Sequence, residues 1–222
     1  MAQWIFYRRL QKGKMKRHFL KLHELKKSLF KNFSPKKILD IGAYKGEWTR
    51  NAKKIFSDSS FFLIEANKDL EEYLMLTGEN YKISVLGSEN NKIINYFKCK
   101  NFPHPTGNSV FKEKSKFIFE PEERKTDKLD SIFKNDEIFD LIKMDVQGSE
   151  LEIIKGGIEI IKKTKFLILE LQISEYNKDA PMINEVVSYL KGLNYVLVDI
   201  LDFIYYEGEI IQCDGLFLNK NI

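Results

Sequence analysis

Two charged side chains stand near the end of an apolar run in the segment LIKMDVQGSELEIIKGG, residues 141–157. The run predicts a buried strand, on which Lys143 and Asp145 share one face because side chains alternate along a strand. Their backbones would lie roughly 6 to 7 Å apart. The two residues either form a simple ion pair at the end of the sheet or present a cation and a carboxylate to a ligand. We treat both as candidate catalytic residues.

A second candidate site follows the first predicted strand, in DIGAYKGEW. Gly42 and Gly46 flank a strand-to-helix turn, where missing side chains let a ligand approach the backbone. Tyr44 and Glu47 occupy the second and third positions of the G-x-G-x-x-G dinucleotide pattern, and the acid would oppose a phosphate. Glu65 ends the second predicted strand, where a carboxylate can accept hydrogen bonds from a ribose. Together these residues favour a nucleoside without phosphates over a purely structural turn.

Two features near these sites have structural explanations as well. Asp40 precedes the glycine turn, and it either holds the loop through backbone N–H groups or contacts a ligand. The letters SELE predict a capping box, in which Ser149 caps a helix and Glu152 reaches back to the cap.

The elements that position these residues alternate between strand and helix. Apolar runs predict strands at KKILDIG, FFLIEAN, YKISVLG, FDLIKMD, KFLILEL, YVLVDI and DGLFLNK, with helical patterns between most of them. This alternation predicts an α/β fold with a mostly parallel sheet that is covered on both faces. The last strand follows without a helix, so we expect it to be antiparallel. Ligands bind at the carboxyl ends of parallel strands, where the candidate residues lie.

Residues 99–125 interrupt this alternation, after one additional predicted strand. KIINYFKCK predicts an additional strand, whereas residues 99–125 mix prolines and charges and show neither period. We expect a long loop there, which in a compact domain is more often functional or mobile than idle.

Charge separates a basic N-terminal arm from an acidic body. The net charge is +4, but residues 1–37 hold 12 Lys or Arg against one acid. Helical spacing of apolar residues predicts a basic helix with one face packed on the core; these residues are Met15, Phe19, Leu22, Leu29 and Phe33. We divide the chain into an arm, residues 1–35, and a main domain, residues 36–222. Such an arm could alternatively meet nucleic acid, an anionic polymer or a membrane surface.

Cysteine content and hydropathy bear on the compartment. Cys99 and Cys213 are too few and too distant for a metal cluster or a disulfide framework, which favours a reducing compartment. The apolar patch at residues 4–7 is too short for a signal peptide, and no run of about 18 apolar residues could span a bilayer. We therefore expect a cytoplasmic protein with no transmembrane segment.

Four segments, in this order and spacing, resemble the FkbM family of S-adenosylmethionine-dependent methyltransferases. They are ILDIGAYKGEWT, FFLIEANKD, TGNSVFKE and LIKMDVQGSELEIIKGG. The last is the most specific, because the family typically reads K-x-D-V-[EQ]-G-x-E-x-x-x-L-x-G there, with Ile154 replacing Leu in this chain. The resemblance covers roughly residues 36–220, and the basic arm lies outside it.

The resemblance implies a Rossmann-like class I methyltransferase fold, with seven strands of which the last is antiparallel. It implies S-adenosyl-L-methionine as cofactor and methyl transfer to an oxygen, often on a sugar or a natural product. By motif position, Glu65 would bind the ribose and residues 86–88 would border the adenine. The candidate cofactor-binding residues are Asp40, Gly42, Tyr44, Gly46, Glu65, Leu86, Gly87 and Ser88.

Methyl transfer to an alcohol requires aligned partners and removal of a proton from the attacking hydroxyl. Asp145 is the leading candidate for this task, as base or as ligand of a divalent metal, whose involvement the sequence leaves open. Glu170, in FLILEL, is a second carboxylate that could converge there, or a solvated strand end. The candidate substrate-binding residues in the long loop are His104, Asn108 and Ser109, and His104 could also act as base.

Two other functions are alternatives. One is a catalytically inactive binding protein of this fold, which would hold RNA or an anionic polymer through the basic arm. The other is an NAD-dependent dehydrogenase, which would need to place phosphates beside Tyr44 and Glu47. We expect a small-molecule or saccharide acceptor, with nucleic acid the less favoured partner.

Overall fold

A computed structural model describes residues 17–27, 33–100, 107–114, 118–134, 136–175 and 177–222. The predictions about His104, Met15 and Leu29 lie outside the described residues.

Strands and helices alternate along most of the chain. The strands are β1 (Lys37–Ile41), β2 (Ser60–Glu65), β3 (Asn80–Ile83), β4 (Val85–Leu86), β5 (Ile93–Cys99), β6 (Phe119–Asp127), β7 (Leu141–Met144), β8 (Phe166–Gln172), β9 (Tyr195–Tyr206) and β10 (Glu209–Asn219). The helices are α1 (residues 17–27), α2 (Glu47–Ile55), α3 (Glu71–Met75), α4 (Leu129–Ile132), α5 (Glu150–Gly156), α6 (Ile158–Lys163) and α7 (Ile183–Gly192), with a 3₁₀ turn at Lys68–Leu70.

Within the described ranges, seven strands form the main sheet in the order β3-β2-β1-β7-β8-β10-β9. Strand β10 runs antiparallel to both of its neighbours, while the remaining pairs are parallel. This confirms the predicted mostly parallel sheet with an antiparallel last strand. Because the strand order reverses between β1 and β7, a crevice forms at their carboxyl ends, where such folds bind ligands.

Helices cover both faces of the sheet, so its central strands are largely buried and mostly apolar. All seven residues of β8 are buried. Leu167 and Leu169 pack in the layer that contains α5, α6 and α7, whereas Phe166 and Ile168 pack in the opposite layer with α1 and α2. Because side chains alternate along a strand, the residues of β8 contribute to the hydrophobic cores on both faces of the sheet.

Helix α1 lies against the second of these layers. Leu22 and Leu25 are buried there, and Phe19 and Phe33 pack beside them. The described part of the predicted apolar stripe therefore contacts the body. The division of the chain at residue 35 remains a prediction.

The prediction of a long loop over residues 99–125 is wrong for the C-terminal part of that segment. Residues 119–127 form β6, which pairs antiparallel with β5 in a separate small sheet of order β4-β6-β5. Its sequence FEPEERKTD is highly charged because most of the strand is solvated, so no apolar alternation signals it. Pro121 is tolerated because β4 pairs only with Thr126 and Asp127, which leaves β6 an edge strand at the proline.

Cys99 and Cys213 are free and buried, on β5 and β10. Of the helices described, none is long and apolar enough to cross a membrane. The predicted capping box is wrong, because Ser149 makes no side-chain capping bond and Glu152 instead accepts a hydrogen bond from Ser88.

Candidate active site

A cavity of about 370 Å³ opens at the carboxyl edge of the main sheet. The ends of β1, β2, β7 and β8 form one side of its wall, and the small sheet with residues 108–110 forms the other. The predicted site residues in this wall are Gly42, Tyr44, Glu65, Leu86, Asn108, Ser109, Lys143, Asp145 and Glu170. Asp40, Gly46, Gly87 and Ser88 lie outside it.

Glu65 turns its carboxylate toward the glycine loop. Its Oε2 accepts a hydrogen bond from the Tyr44 backbone N–H at 2.7 Å, and its Oε1 accepts one from Asn67 N–H at 2.8 Å. Burial raises the pKa of this carboxyl group, against the effect of these two bonds and of Lys143. A carboxylate has about four acceptor positions, so two remain available to a ligand that carries neighbouring hydroxyls.

The two glycines of the first motif serve different contacts. Gly42 has a φ of +72°, and a Cβ there would lie 1.9 Å from the Asp145 carbonyl oxygen. The missing side chain therefore lets β1 and the residue after β7 approach each other at the cavity. At Gly46, also with positive φ, a Cβ would lie 2.5 Å from the Thr77 methyl, so this glycine serves packing behind the wall.

Asp40 and Lys143 form a buried ion pair, of which Lys143 lines the cavity and Asp40 lies behind it. Lys143 Nζ lies 3.1 Å from Asp40 Oδ1, 3.0 Å from the Gly42 carbonyl oxygen, and 4.0 Å from Asp145 Oδ2. Asp40 Oδ2 accepts a hydrogen bond from the Thr49 hydroxyl at 2.7 Å. The lysine thus ties the first motif to β7, and Asp40 contributes to this framework.

Asp145 and Glu170 converge as the sequence suggested, and a third residue joins them. Gln147 Nε2 donates to Asp145 Oδ1 at 3.0 Å and to Glu170 Oε2 at 2.5 Å. The Asp145 side chain is 33% exposed and that of Lys143 only 7%, while Glu170 is buried. Asp145 is therefore the member of this group that a second ligand can reach.

The segment expected to border a base enters the cavity only in part. Leu86 lies in the wall together with Ser84 and Val85. The Gly87 backbone packs on α5, since a Cβ at Gly156 would lie 2.0 Å from its carbonyl oxygen. Ser88 donates to Glu152 at 2.6 Å on the outer side of the same helix.

The predicted substrate loop contacts the cavity through Asn108 and Ser109. Asn108 Oδ1 accepts a hydrogen bond from Cys99 N–H at 2.9 Å. The Ser109 hydroxyl donates to the Gln147 carbonyl oxygen at 2.9 Å and accepts from Phe111 N–H at 3.1 Å. Ser109 therefore braces the loop after β7, and Asn108 holds the end of β5.

Two further residues of the wall, Tyr96 and Trp48, were not predicted from the sequence. Tyr96, on β5, is buried in the wall, and burial, with Glu65 nearby, raises the pKa of its hydroxyl, which stays protonated. Trp48 follows the glycine loop on the first turn of α2. Its indole N–H donates to His18 Nε2 at 3.1 Å, and His18 Nδ1 lies 2.9 Å from Asp214 Oδ2. Trp48 could have been predicted as a site residue, because it is an aromatic residue that follows the glycine loop. No sequence pattern indicates Tyr96.

Acidic groups dominate the cavity. Glu47, Glu65, Asp145 and Glu170 line it, against the single lysine at residue 143 among the described lining residues. Beside Val146, burial raises the pKa of the Glu150 carboxyl group to about 7, and its Oε1 accepts a hydrogen bond from the Val146 N–H. In the described part of the chain, no group of three or more His, Cys, Asp or Glu side chains is arranged to hold a metal ion.

Comparison with known proteins identifies the family. A sequence profile described as the methyltransferase FkbM domain matches residues 40–197. A solved S-adenosylmethionine-dependent methyltransferase from Clostridium acetobutylicum is similar, with a TM-score of 0.52 at 11% identity over 91% of each chain. The magnesium protoporphyrin IX methyltransferase from Synechocystis, solved with its S-adenosylmethionine, gives 0.53 at 8% identity over 95% of this chain and 84% of that one. No curated protein sequence matches the chain.

The cavity suits the cofactor of this family on its own geometry. Glu65 offers acceptor positions for ribose hydroxyls, and Gly42 leaves a side-chain-free wall. The acidic lining favours a cationic sulfonium over a pyrophosphate, which takes away the ground for the NAD-dependent alternative. With the match spanning most of the sequence, the chain belongs to the FkbM family of S-adenosylmethionine-dependent methyltransferases.

Proposed function

We propose that this protein transfers a methyl group from S-adenosylmethionine to a hydroxyl of a saccharide or a related small molecule. The observation that supports this most directly is the position of Asp145. Its partly exposed carboxylate lies in the same cavity as Glu65, at the open edge of the sheet. One cavity thus offers a nucleoside-binding end and a proton acceptor.

Glu65 would hold the cofactor, because its carboxylate is fixed by the Tyr44 and Asn67 amides and faces the cavity. Ser84, Val85 and Leu86 give the wall beyond it a small, largely apolar surface suited to a purine ring. The bound cofactor would supply an electrophilic methyl group on a sulfonium sulfur. Trp48 and Tyr96 line the same cavity and would help to exclude water from it.

Asp145 would accept the proton of the attacking hydroxyl. It combines exposure to a second ligand with a fixed orientation, since Gln147 holds its Oδ1 at 3.0 Å. Lys143 is less suited, because its ammonium group is already engaged by Asp40 and the Gly42 carbonyl oxygen. Glu170 is buried behind Gln147 and would act through that amide.

The charge of the cavity favours an uncharged, hydroxylated acceptor. Four acidic side chains repel phosphates and other anions, which disfavours nucleic acid and phosphorylated sugars. Asn108 contributes an uncharged polar side chain to the wall. A cytoplasmic location, where thiols such as Cys213 stay reduced, is part of the same proposal.

The alternative of an anion-binding arm receives little support from the described part of α1. Arg17 lies 3.8 Å from Asp202, and Lys21 lies 3.1 Å from Asp199. Lys26 donates to the Ile55 carbonyl oxygen. These three cations are directed at the body of the protein and would have to leave their partners to bind a polymer.

The proposal is tested by incubating the full-length protein with isotopically labelled S-adenosylmethionine and a panel of neutral glycosides, phosphorylated glycosides and RNA. Mass spectrometry of the products should find O-methylation of neutral glycosides only. The Asp145→Asn variant should lose this activity, with a fall in kcat of about a hundredfold or more, which is the usual size of a general base contribution. Methylation confined to RNA or to phosphorylated compounds would refute the acceptor class.

A further inference from the structure

Gln147 occupies the space between the two acidic side chains of the site. Its amide nitrogen is within hydrogen-bond distance of Asp145 Oδ1 and of Glu170 Oε2. An amide nitrogen carries two protons and accepts nothing, so it can serve one oxygen of each carboxylate at once. The two carboxylates are therefore held no more than two hydrogen-bond lengths apart.

The backbone of Gln147 is fixed by two other segments of the chain. Its φ is +57°, a left-handed conformation that is costly for a residue other than glycine. Its carbonyl oxygen accepts hydrogen bonds from the Ser109 hydroxyl at 2.9 Å and from Asn177 Nδ2 at 3.0 Å. These contacts hold an otherwise unfavourable turn and aim the side chain between the acids.

Two carboxylates that converge in a partly buried place repel each other unless something lies between them. Proteins meet this need with a shared proton, a cation or a neutral donor. A divalent cation would be bound by the same oxygens that Gln147 now engages, because hard cations prefer carboxylate ligands. Here the neutral donor is part of the chain.

We propose that Gln147 is a positioning residue that fixes Asp145 and Glu170 as one hydrogen-bonded pair, its amide taking the place that a divalent cation would otherwise fill. The effect on Asp145 rests on the proposed function, in which this carboxylate receives the hydroxyl proton. The placement of Gln147 between the two carboxylates does not depend on the proposed function, and it can be tested without any acceptor. It follows that Gln147→Glu would place three carboxylates together and create a cation site.

The test is a titration of the full-length protein with Mn²⁺, followed by electron paramagnetic resonance. We expect Gln147→Glu to bind one ion at least about tenfold more tightly than the unmodified protein, as a third hard ligand should allow. The matched control is Asn194→Asp, which adds one charge at another left-handed residue, with φ of +62°, in an exposed turn. Adding Asp145→Asn to Gln147→Glu should abolish the gain.

Two results would overturn the inference. One is Mn²⁺ binding by Gln147→Glu that is no tighter than that of Asn194→Asp. The other is binding by the unmodified protein that is as tight as that of Gln147→Glu. If repulsion unfolds Gln147→Glu without metal, Mn²⁺ should raise its Tm, and an unchanged Tm would equally contradict the proposal.

Gln147→Leu provides a second test that uses the reaction itself. This variant keeps the volume but donates nothing, so kcat should fall at least about tenfold while the affinity for S-adenosylhomocysteine stays the same. An unchanged kcat would contradict the positioning role. If no acceptor is methylated by the unmodified protein, the proposed function fails, while the Mn²⁺ result still decides the geometry.

Discussion

Lys143 Nζ lies 3.1 Å from Asp40 Oδ1, across the neighbouring strands β7 and β1, and both side chains are almost completely buried. The same ammonium group donates to the Gly42 carbonyl oxygen. Lys143 thus holds the glycine loop in place, while the Asp145 side chain, two residues further on, is 33% exposed.

This pairing predicts a large loss of stability in Lys143→Met. Removal of one partner leaves Asp40 charged and buried, which typically costs about 3–5 kcal/mol in the free energy of unfolding. Urea denaturation should show that loss. The double variant Asp40→Asn/Lys143→Met should regain part of it, because no buried charge remains. As a control, Lys37→Met removes an exposed lysine on β1 and should cost no more than about 1 kcal/mol. Equal losses in the two single variants would contradict the assignment.

The raised pKa of Glu150 predicts a specific dependence of the free energy of unfolding on pH. Because burial raises its pKa to about 7 from the ordinary 4.5, the folded state binds more protons than the unfolded state between these values. The contribution of Glu150 to stability is therefore fully present below pH 4.5 and is lost as the pH rises through about 7. Glu150→Gln keeps an acceptor for the Val146 N–H but does not titrate.

Between pH 5 and pH 8 the difference in free energy of unfolding, Glu150→Gln minus the unmodified protein, should therefore increase. The increase should be at most about 3 kcal/mol. Denaturation curves at a series of pH values give this difference. Glu159→Gln, at an exposed position on α6, is the control and should run parallel to the unmodified protein. A parallel course for Glu150→Gln as well would show that Glu150 has an ordinary pKa.

The hydrogen bonds of His18 attach α1 to Trp48 in the wall of the cavity, so we expect their loss to destabilise the fold. Its Nε2 accepts from the Trp48 indole, so its proton is on Nδ1 and is donated to Asp214. His18→Ala removes both bonds from a buried site and should lower the free energy of unfolding by about 1–3 kcal/mol. His23→Ala, exposed on the same helix, should have little effect. Similar values for the two variants would mean that the contact with Trp48 is incidental.

The sheet was predictable because its strands are mostly apolar and helical patterns separate most of them. The run FLILEL, for instance, reads as a strand buried on both faces, and so it is. Strand β6 was not predictable, since its solvated residues carry no apolar period and its partners in β5 lie 20 to 32 residues earlier. Local pattern also misled at Glu152, because a distant residue, Ser88, competes for its carboxylate.

The site was predictable where a residue follows a strand, as Glu65 and Asp145 do. The tasks of these residues depend on neighbours that the sequence does not reveal. Asp40 could be a ligand contact or a framework residue, and only the position of Lys143 distinguishes the two. Gln147 is adjacent to Asp145, yet its role depends on Glu170, which belongs to a different strand. Such relationships arise from tertiary structure alone.

The most direct test of the account is calorimetric titration with S-adenosylhomocysteine of the unmodified protein, Glu65→Ala and Asp145→Ala. Glu65 and Asp145 line the same cavity; in the proposed arrangement Glu65 would hold the ribose of the cofactor and Asp145 would face the acceptor. We expect the unmodified protein and Asp145→Ala to bind with similar affinity, and Glu65→Ala to lose binding. Absence of binding by the unmodified protein, or an equal loss in both variants, would contradict the division of the cavity into a cofactor end and a catalytic end.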